Sequence, residues 1–452
     1  GETSRRGAVR IGSDGEVPTA KEVAQLARFL LQGDGRSVNA DAVPSSVLPG
    51  AKEPGKWMVV KTVGPSSTTK PRSSGASAAD EAAGETDEGI SGTTFVIAEA
   101  GVNHNGDLGL ARQLVDAAAD AGADCVKFQT FKADRLASAS AKKAAYQQET
   151  TGAHESQLEM LRRLELSDDA HRELMARCAE RDIAFLSTPF DHESLAFLAA
   201  DLGLDRLKLG SGELTNGPLL LAAARTGLPL ILSTGMATLQ EVEDALGVLA
   251  WGWTVDDGAP SWGGFAAALR SHDGACAVAS RTVLLQCTTE YPAPFVDVNL
   301  KAMDTLAKRF GVAVGLSDHT PGITMPIAAV ARGATVIEKH FTLDKAMDGP
   351  DHRASLEPAE LAAMVVGIRQ VESALGDGIK QPAPSELGNR AIARKGVVAA
   401  RAIAAGHVFT ADDLACKRPE AGVSPMRLWE LLGRSASRDY AADEPIDAGE
   451  LP

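Results

Sequence analysis

Eight short apolar runs, most of them separated by segments with helical periodicity, constrain the fold of this chain more than any other feature. Each run ends in polar residues or glycine, as the buried strands of a parallel sheet do. In chain order the runs are FVIAEAG, CVKFQTF, IAFLSTPF, RLKLGSGE, PLILSTGM, VLLQCTTEYP, VAVGLSDHT and TVIEKHFT. These alternations between residues 93 and 380 predict an α/β protein with a (β/α)8 barrel, a fold of about 250 residues. An open doubly wound sheet is the alternative.

The regions on either side of the barrel segment differ from it in composition. Residues 1–92 form an N-terminal extension that, from residue 65 onward, is made of Ser, Thr, Ala, Gly and acidic residues without an apolar period. Such a composition buries too little apolar surface to offset its ordering entropy, so we expect a largely flexible linker. A polar hinge at 381–389 leads to a small module of short β-like pieces at 390–452. The expected domains are therefore 1–92, 93–380 and 390–452.

The composition argues against several classes of partner. The formal net charge of -15 argues against nucleic acid, because phosphate backbones require a basic face. The most apolar long stretch, residues 219–232, is interrupted by Arg225, Gly227 and Pro229, so nothing reaches the ~18–20 apolar residues of a membrane span. The five cysteines form no CxxC pair, which favours free thiols in a reducing compartment and hence a cytoplasmic protein.

The last two apolar runs each carry a histidine at their polar end, His319 in GLSDHT and His340 in IEKHFT. The carboxyl ends of barrel strands hold the active sites of barrel enzymes, so these imidazoles are candidates for a divalent metal site. Two imidazoles without a thiolate leave positions for substrate or water, which suits manganese or magnesium acting as a Lewis acid. A core role, with each ring hydrogen-bonded to a backbone carbonyl, is the alternative.

Lys127 and Lys208 lie within otherwise apolar runs, where an unpaired ammonium group is costly to bury. Serines and threonines occur at the same ends of the runs. Ammonium groups together with hydroxyls make a pocket for phosphate or carboxylate, which would let an acidic chain bind an anion. For each lysine taken alone, a stem on the barrel rim with its ammonium in water is the alternative.

The order of these motifs resembles the sialic acid synthase family, enzymes that condense phosphoenolpyruvate with a sugar to build nonulosonic acids. The matching segments, in the family's order, are FVIAEAGVNHNGDL, KFQTF, STPFD, KLGSGELTN, LSTGMAT, CTTEYPAP, GLSDHTPG, EKHFTLD and GPDHRASLEP, followed by a module that contains KRP. The resemblance covers the chain from residue 93 to its end. It implies a (β/α)8 barrel joined to a small C-terminal antifreeze-like (SAF) domain. It also implies a homodimer in which one subunit's SAF domain closes the other's active site.

The resemblance also implies a role for individual residues. His319 and His340 match the ligands of a Mn²⁺ or Mg²⁺ ion that polarises the sugar aldehyde. The residues that match the phosphoenolpyruvate pocket are Lys127, Thr188, Lys208, Ser211, Ser233 and Ser317. Those that match groups holding or activating the acyl-hexosamine are Glu99, Gln129, Glu213, Tyr291 and Asp351. Arg418 matches the SAF arginine that reaches the neighbouring subunit's substrate. The four expected to act catalytically are Glu99, Glu213, Lys127 and Lys208.

The reaction that the resemblance implies is the condensation of phosphoenolpyruvate with N-acetylmannosamine to N-acetylneuraminate, with release of phosphate by carbon–oxygen cleavage. Legionaminic acid synthases, which take a dideoxy diacetamido sugar, and the deaminated Kdn synthases share the motifs, so they are the nearest alternatives. A Schiff-base aldolase that uses Lys127 or Lys208 is a chemically different alternative. The non-enzymatic alternative is a binding protein that acts through its SAF domain.

Overall fold

The computed structural model describes residues 6–7, 60–61, 93–138, 140–143, 147–148 and 155–452. The chain divides into two compact units, residues 1–376 and 377–452. The flexible linker expected within residues 1–92 lies outside the described residues, apart from a short antiparallel pairing of Arg6–Gly7 with Val60–Lys61. In the described part of the chain, no helix is both long and apolar enough to cross a membrane.

Eight parallel strands form the centre of the first unit. They are β1 (Phe95–Gly101), β2 (Cys125–Thr130), β3 (Ala184–Pro189), β4 (Leu207–Leu209), β5 (Leu230–Ser233), β6 (Thr282–Cys287), β7 (Ala313–Asp318) and β8 (Val336–His340). Their hydrogen-bonded order is β3-β2-β1-β8-β7-β6-β5-β4. Since β3 and β4, the two ends of this order, also lie against each other, the sheet closes into a barrel. The predicted (β/α)8 barrel is therefore confirmed, and the open doubly wound sheet is excluded.

Helices follow most of the strands and cover the outside of the barrel. In the first unit they are α1 (Leu108–Asp120), α2 (Ala133–Leu136), α3 (Gln157–Leu164), α4 (Asp168–Glu180), α5 (His192–Ala196), α6 (Gly217–Arg225), α7 (Leu239–Thr254), α8 (Trp262–Arg270), α9 (His272–Arg281), α10 (Lys301–Phe310), α11 (Thr324–Ala331) and α12 (Pro358–Ala374). Side-chain caps set several starts, because they satisfy backbone N–H groups that the helix leaves free. Thr238, for example, forms a capping box with Glu241 at the start of α7.

The barrel interior has an apolar lower layer and a polar upper layer. The residues of the lower layer that come from the strands are Ile97, Cys125, Leu186, Ile231, Val283, Leu285, Ala313 and Val336. Side chains alternate between the two faces of a strand, so residues two or four positions further along also face inward. Those residues include Glu99, Lys127, Thr188, Ser233, Cys287, Ser317 and Glu338. Gly315 is required by close packing, because a Cβ there would lie 2.1 Å from the carbonyl oxygen of Val336.

Helices α8 and α9 form an insertion between α7 and β6. Helix α8 packs on α7 closely enough that a Cβ on Gly264 would lie 2.5 Å from the ring of Trp251. The ring of Phe265 meets the same indole edge to face at 5.9 Å between centroids. Helix α9 ends at Arg281, directly before β6 begins. The insertion thus leads into the amino end of β6, whereas the polar layer lies at the carboxyl ends of the strands.

The second unit is built around one antiparallel strand pair. Helix α13 (Pro384–Ala393) precedes β9 (Gly396–Ala399), which pairs with β10 (Leu414–Lys417). Its apolar core includes Val397, Phe409, Leu431, Tyr440 and Ile446. Two buried carboxylates tie its loops together. Asp413 accepts hydrogen bonds from the guanidinium of Arg401 and from Thr410, and Glu450 accepts from Ser437 and from the Tyr440 hydroxyl at 2.7 Å.

Candidate active site

A continuous set of charged side chains crosses the polar layer of the barrel. The Lys127 ammonium lies 2.5 Å from Glu99 Oε2 and 3.7 Å from Glu338 Oε2. The other oxygen of Glu338 lies 3.6 Å from the Lys208 ammonium. All four side chains are at most 6% exposed, so these charges interact in a medium of low polarity. Two lysines and two glutamates therefore share one buried network.

Burial and the neighbouring charges act in opposite directions on the protonation of this network. Burial raises the pKa of Glu99 to about 7, although the neighbouring Lys127 ammonium opposes the shift. Burial also acts to raise the pKa of Glu338, but Lys127 and Lys208 outweigh it and bring that pKa down to about 2. Burial alone would lower the pKa of Lys127, yet Glu338 and Glu99 raise it. Burial lowers the pKa of Lys208, although the Glu338 carboxylate opposes the shift. An anionic ligand would add a further negative charge beside both lysines and so favour their charged forms.

Hydroxyl groups surround the two lysines. Lys127 donates a hydrogen bond to Thr188 Oγ1 at 3.0 Å, and Lys208 donates to Ser233 Oγ at 2.8 Å. Ser317 donates to Glu338 at 2.9 Å. Ser211, in the turn after β4, accepts a hydrogen bond from the backbone N–H of Gly235 at 2.9 Å. Of the four predicted hydroxyl residues, Thr188 and Ser233 therefore contact the lysines directly, and Ser317 contacts the glutamate between them.

His319 and His340 face each other beside this network, with ring centroids 5.4 Å apart. The ring of Tyr291 lies over them, 4.1 Å from the His319 ring and 5.5 Å from the His340 ring. His319 Nδ1 lies 2.7 Å from the carbonyl oxygen of Thr288, so this nitrogen carries the proton and donates it. The other nitrogen, Nε2, then keeps its lone pair for a ligand.

The donor set around His340 fits a divalent cation. Its buried Nδ1 has no hydrogen-bond partner and lies 3.9 Å from Asp351 Oδ2. Burial lowers the pKa of His340 well below its usual value and raises that of Asp351 to about 6. Among the described residues, no group of three or more His, Cys, Asp or Glu side chains is arranged as a metal site. The residues present therefore fit a site with two imidazoles whose remaining ligands come from substrate or water.

Three other predicted residues have different surroundings. Gln129 Nε2 donates to Glu99 Oε1 at 3.3 Å, which places it within the charged network. Glu213 is half-buried in the turn after β4, where it accepts a hydrogen bond from Asn216 at 2.7 Å. Arg418 is exposed and belongs to the second compact unit.

Comparison with known proteins identifies the family of both units. Residues 114–380 match the model of the NeuB family, and residues 394–452 match the SAF domain. The chain belongs to the NeuB family. This confirms the resemblance drawn from the motifs and the expected C-terminal SAF domain.

Relatives within the NeuB family carry the names of specific synthases. N,N'-diacetyllegionaminic acid synthase of Campylobacter jejuni subsp. jejuni serotype O:2 is 51% identical over 353 residues, which are 78% of this chain and 98% of that protein. The synthase of the same name from Legionella pneumophila subsp. pneumophila is 46% identical over 78% of this chain and 93% of that protein. A crystal structure of N-acetylneuraminic acid (sialic acid) synthetase from Leptospira borgpetersenii serovar Hardjo-bovis, in complex with citrate, is 33% identical. It aligns with a TM-score of 0.53 over 66% of this chain and 90% of that one.

The structure of this NeuB-family barrel adds residues that the list of candidates lacked. Glu338 lies between the two lysines, and it could have been found by counting back two positions from the inward-facing His340. Cys287 Sγ lies 3.9 Å from His319 Nδ1, inside the same layer. The hydroxyl of Thr289 is buried without a hydrogen-bond partner beside Gly235, where a Cβ would lie 2.3 Å from it. Thr289 is one of the polar residues at the end of the sixth apolar run, VLLQCTTEYP, so its place near the site could be expected but not its contact with Gly235.

Proposed function

We propose that this chain is a nonulosonic acid synthase that condenses phosphoenolpyruvate with an acylated amino sugar and releases phosphate. The observation that carries the proposal is the pair of buried ammonium groups, Lys127 and Lys208, beside two facing histidines in the polar layer of the barrel. An anion pocket next to a metal site matches a reaction between a phosphorylated acid and an aldehyde. The names of the relatives within the NeuB family support the same class of reaction.

Within this class, we propose N,N'-diacetyllegionaminic acid as the product and a dideoxy diacetamido sugar as the second substrate. The Campylobacter jejuni synthase of that product shares 51% identity over almost its whole length, whereas the Leptospira sialic acid synthetase shares 33%. N-acetylneuraminate made from N-acetylmannosamine, the first expectation from the sequence, is the second candidate. The barrel's structural similarity to the Leptospira protein favours it at the level of the family.

In the proposed reaction, the two lysines bind the anionic groups of phosphoenolpyruvate. Thr188 and Ser233 already accept hydrogen bonds from Lys127 and Lys208, so the ammonium groups are held in place before the substrate arrives. The hydroxyls can turn to donate to phosphate oxygens when the ligand binds. The attraction acts over a few ångströms in a buried site, so the negative net charge of the whole chain opposes it only weakly.

His319 and His340 are the residues that would hold a Mn²⁺ or Mg²⁺ ion, which supplies Lewis-acid polarisation of the sugar aldehyde. Thr288 fixes the orientation of the His319 ring by accepting the Nδ1 hydrogen bond. Asp351, 3.9 Å from His340, lies where it can contact a sugar hydroxyl or a further ligand of the ion. The Tyr291 ring packs against the His319 ring at a small tilt and meets the His340 ring edge to face.

The bond changes of the proposed reaction balance with the groups at hand. Carbon 3 of phosphoenolpyruvate forms the new bond to the aldehyde carbon of the open-chain sugar. Glu99 is the candidate proton donor to the aldehyde oxygen, because its pKa of about 7 lets it hold a proton near neutral pH. Water adds to carbon 2 and gives its proton to Glu213. The new hydroxyl on carbon 2 then gives its proton to the phosphate as the carbonyl bond forms, and the bond between carbon 2 and the bridging oxygen breaks with release of phosphate.

The test is phosphate release from phosphoenolpyruvate with each of three sugars, the diacetamido sugar, N-acetylmannosamine and mannose, with Mn²⁺ or with EDTA. We expect release to need the metal and kcat/KM to be highest with the diacetamido sugar. A higher kcat/KM with N-acetylmannosamine would establish the second candidate instead. No release with any sugar would refute the proposed reaction class.

Two controls separate this chemistry from its alternatives. Lys208→Met should abolish phosphoenolpyruvate binding, whereas Lys308→Met removes an exposed lysine of α10 and should leave it unchanged. Trapping of pyruvate on the protein by borohydride, together with activity in EDTA, would indicate the Schiff-base aldolase. The binding-protein alternative predicts two results together: the wild type shows no turnover, and the His340→Ala variant binds ligand as well as the wild type does.

We further propose that two copies of the chain form a homodimer in which Arg418 of one SAF domain completes the barrel site of the other subunit. Arg418→Ala and His340→Ala chains should each be inactive. When equal amounts of the two variants are refolded together, random pairing makes about half of the dimers mixed, and each mixed dimer has one intact barrel facing one intact SAF domain. About a quarter of the wild-type activity should therefore return. No recovery in mixed dimers would contradict the exchange of SAF domains.

A further inference from the structure

A second pair of charges lies on the outer face of β7 and β8, directly behind the two histidines. Lys339 and Asp318 are register partners on these neighbouring strands, and each precedes one of the histidines by one residue. The Lys339 ammonium lies 2.6 Å from Asp318 Oδ2, with side chains only 0% and 1% exposed. Because strand side chains alternate, both point away from the barrel interior and cannot touch a substrate there.

The same pair closes the turn that carries His319. Asp318 accepts hydrogen bonds from the backbone N–H of Thr320 at 3.1 Å and from its hydroxyl at 3.0 Å. Lys339 also donates to the carbonyl oxygen of Thr320. Asp318 and Thr320, which flank His319, therefore both accept hydrogen bonds from Lys339, which precedes His340. One buried lysine thus connects the backbones of the two histidines.

Stability does not account for a charged pair at this position. The surrounding outer layer of the barrel is largely apolar, with Leu316, Ile337 and Leu361 among its buried residues. The other charges that act on Lys339 are those of Glu360 and Lys345. In such a layer, apolar side chains of similar volume are often as stabilising as a buried ion pair, or more so. The ion pair adds a defined geometry, because its hydrogen bonds to a carboxylate and a carbonyl fix both distances and angles between the two strands.

We propose that the Lys339–Asp318 pair, together with Thr320, is the positioning device that sets the separation and orientation of His319 and His340 for one divalent cation. The inference rests on the proposed function, since it takes the two histidines as the metal ligands. It assigns no contact with substrate to Lys339 or Asp318. Partners outside the ligand shell of this kind typically change metal affinity by about 10- to 100-fold when they are removed.

The experiment measures Mn²⁺ affinity, by loss of the free-ion electron paramagnetic resonance signal, and the melting temperature of the metal-free protein. The variants are Lys339→Met, Asp318→Leu and the double variant, with Lys345→Met as the matched control. Lys345 forms a half-exposed ion pair with Glu360 in the loop after β8. Both charges act on Lys339 through space, but the control keeps every hydrogen bond between Lys339, Asp318 and Thr320. The single variants leave one buried charge unpaired, and we expect them to melt at lower temperature than the double variant.

The double variant carries the test, because it removes both charges and keeps the volume of the site. We expect it to fold with the wild-type circular dichroism spectrum and to bind Mn²⁺ about 10- to 100-fold more weakly, while Lys345→Met binds as the wild type does. Wild-type Mn²⁺ affinity in the folded double variant would overturn the inference and leave the proposed function standing. Absence of Mn²⁺ binding by the wild type would refute the proposed metal site, and the inference with it.

Discussion

His104 gives the chain a pH-dependent stability whose size can be worked out from the structure. The residue follows β1 and is 1% exposed. Its Nδ1 accepts a hydrogen bond from the backbone N–H of Gly106 at 3.0 Å, and its buried Nε2 has no partner. Burial, helped by the charge of His171, lowers the pKa of His104 from 6.5 to about 4. The folded chain therefore holds this imidazole neutral over a range in which the unfolded chain protonates it.

The sign and magnitude follow from proton linkage. Between pH 6.5 and pH 4 the unfolded state binds more protons at this site than the folded state, so the free energy of unfolding falls as the pH falls. With these two pKa values, the titration of His104 lowers the free energy of unfolding by about 2 kcal/mol between pH 7.5 and pH 5. Below pH 4 the total loss is about 3 kcal/mol. Above about pH 7.5 the imidazole is neutral in both states, so it contributes almost nothing to the pH dependence.

The assay is urea unfolding at several pH values between 7.5 and 5, on the wild type and on His104→Asn. The asparagine oxygen can replace Nδ1 as the acceptor for Gly106, so the variant removes the titration and retains the turn. His192→Asn is the control, since His192 is exposed. We expect the wild type and the control to lose about 2 kcal/mol more than His104→Asn over this range. An equal loss in all three proteins would show that His104 does not carry the effect.

Two further predictions concern packing in the insertion and the buried carboxylate of the SAF domain. Gly264→Ala in α8 should lower the free energy of unfolding by about 1–3 kcal/mol, because its Cβ would lie 2.5 Å from the Trp251 ring. Gly263→Ala, whose Cβ meets nothing within 4 Å, should raise the free energy of unfolding by about 0.5 kcal/mol, because alanine has the higher helix propensity. Equal melting temperatures for the two variants would contradict these two predictions. Tyr440→Phe removes the 2.7 Å hydrogen bond to Glu450, so hydrogen exchange in the SAF domain should show a loss of about 1–3 kcal/mol. Unchanged protection would mean that Ser437 alone satisfies this carboxylate.

Much of the fold was predictable because strands and helices have different periods. The eight apolar runs correspond to β1–β8, and the cap predicted by Thr238 and Glu241 forms at the start of α7. The packing of the insertion between α7 and β6 could not be predicted from the period of its apolar residues. Its helices are held by aromatic packing against Trp251, and contacts between side chains distant in sequence leave no periodic pattern. The Lys339–Asp318 pair could be predicted only in part. The alternation of strand side chains places both residues on the outer face of the barrel, but it does not predict that they form an ion pair.

The same reasoning explains which part of the site the sequence could not supply. Lys127, Lys208 and Glu338 meet across the barrel interior, although β8 is separated from β2 and from β4 by other strands. Period and strand order predict that each faces inward, but only the closed barrel brings both ammonium groups within 4 Å of Glu338. The turn at Ser211–Glu213, which follows β4, is a third case. It carries two of the predicted site residues, but it lies beyond the strand ends, where no repeat fixes the direction of a side chain. The motif predicts that both residues lie near the mouth of the barrel, whereas the hydrogen bonds of Ser211 to Gly235 and of Glu213 to Asn216 appear only in the folded chain.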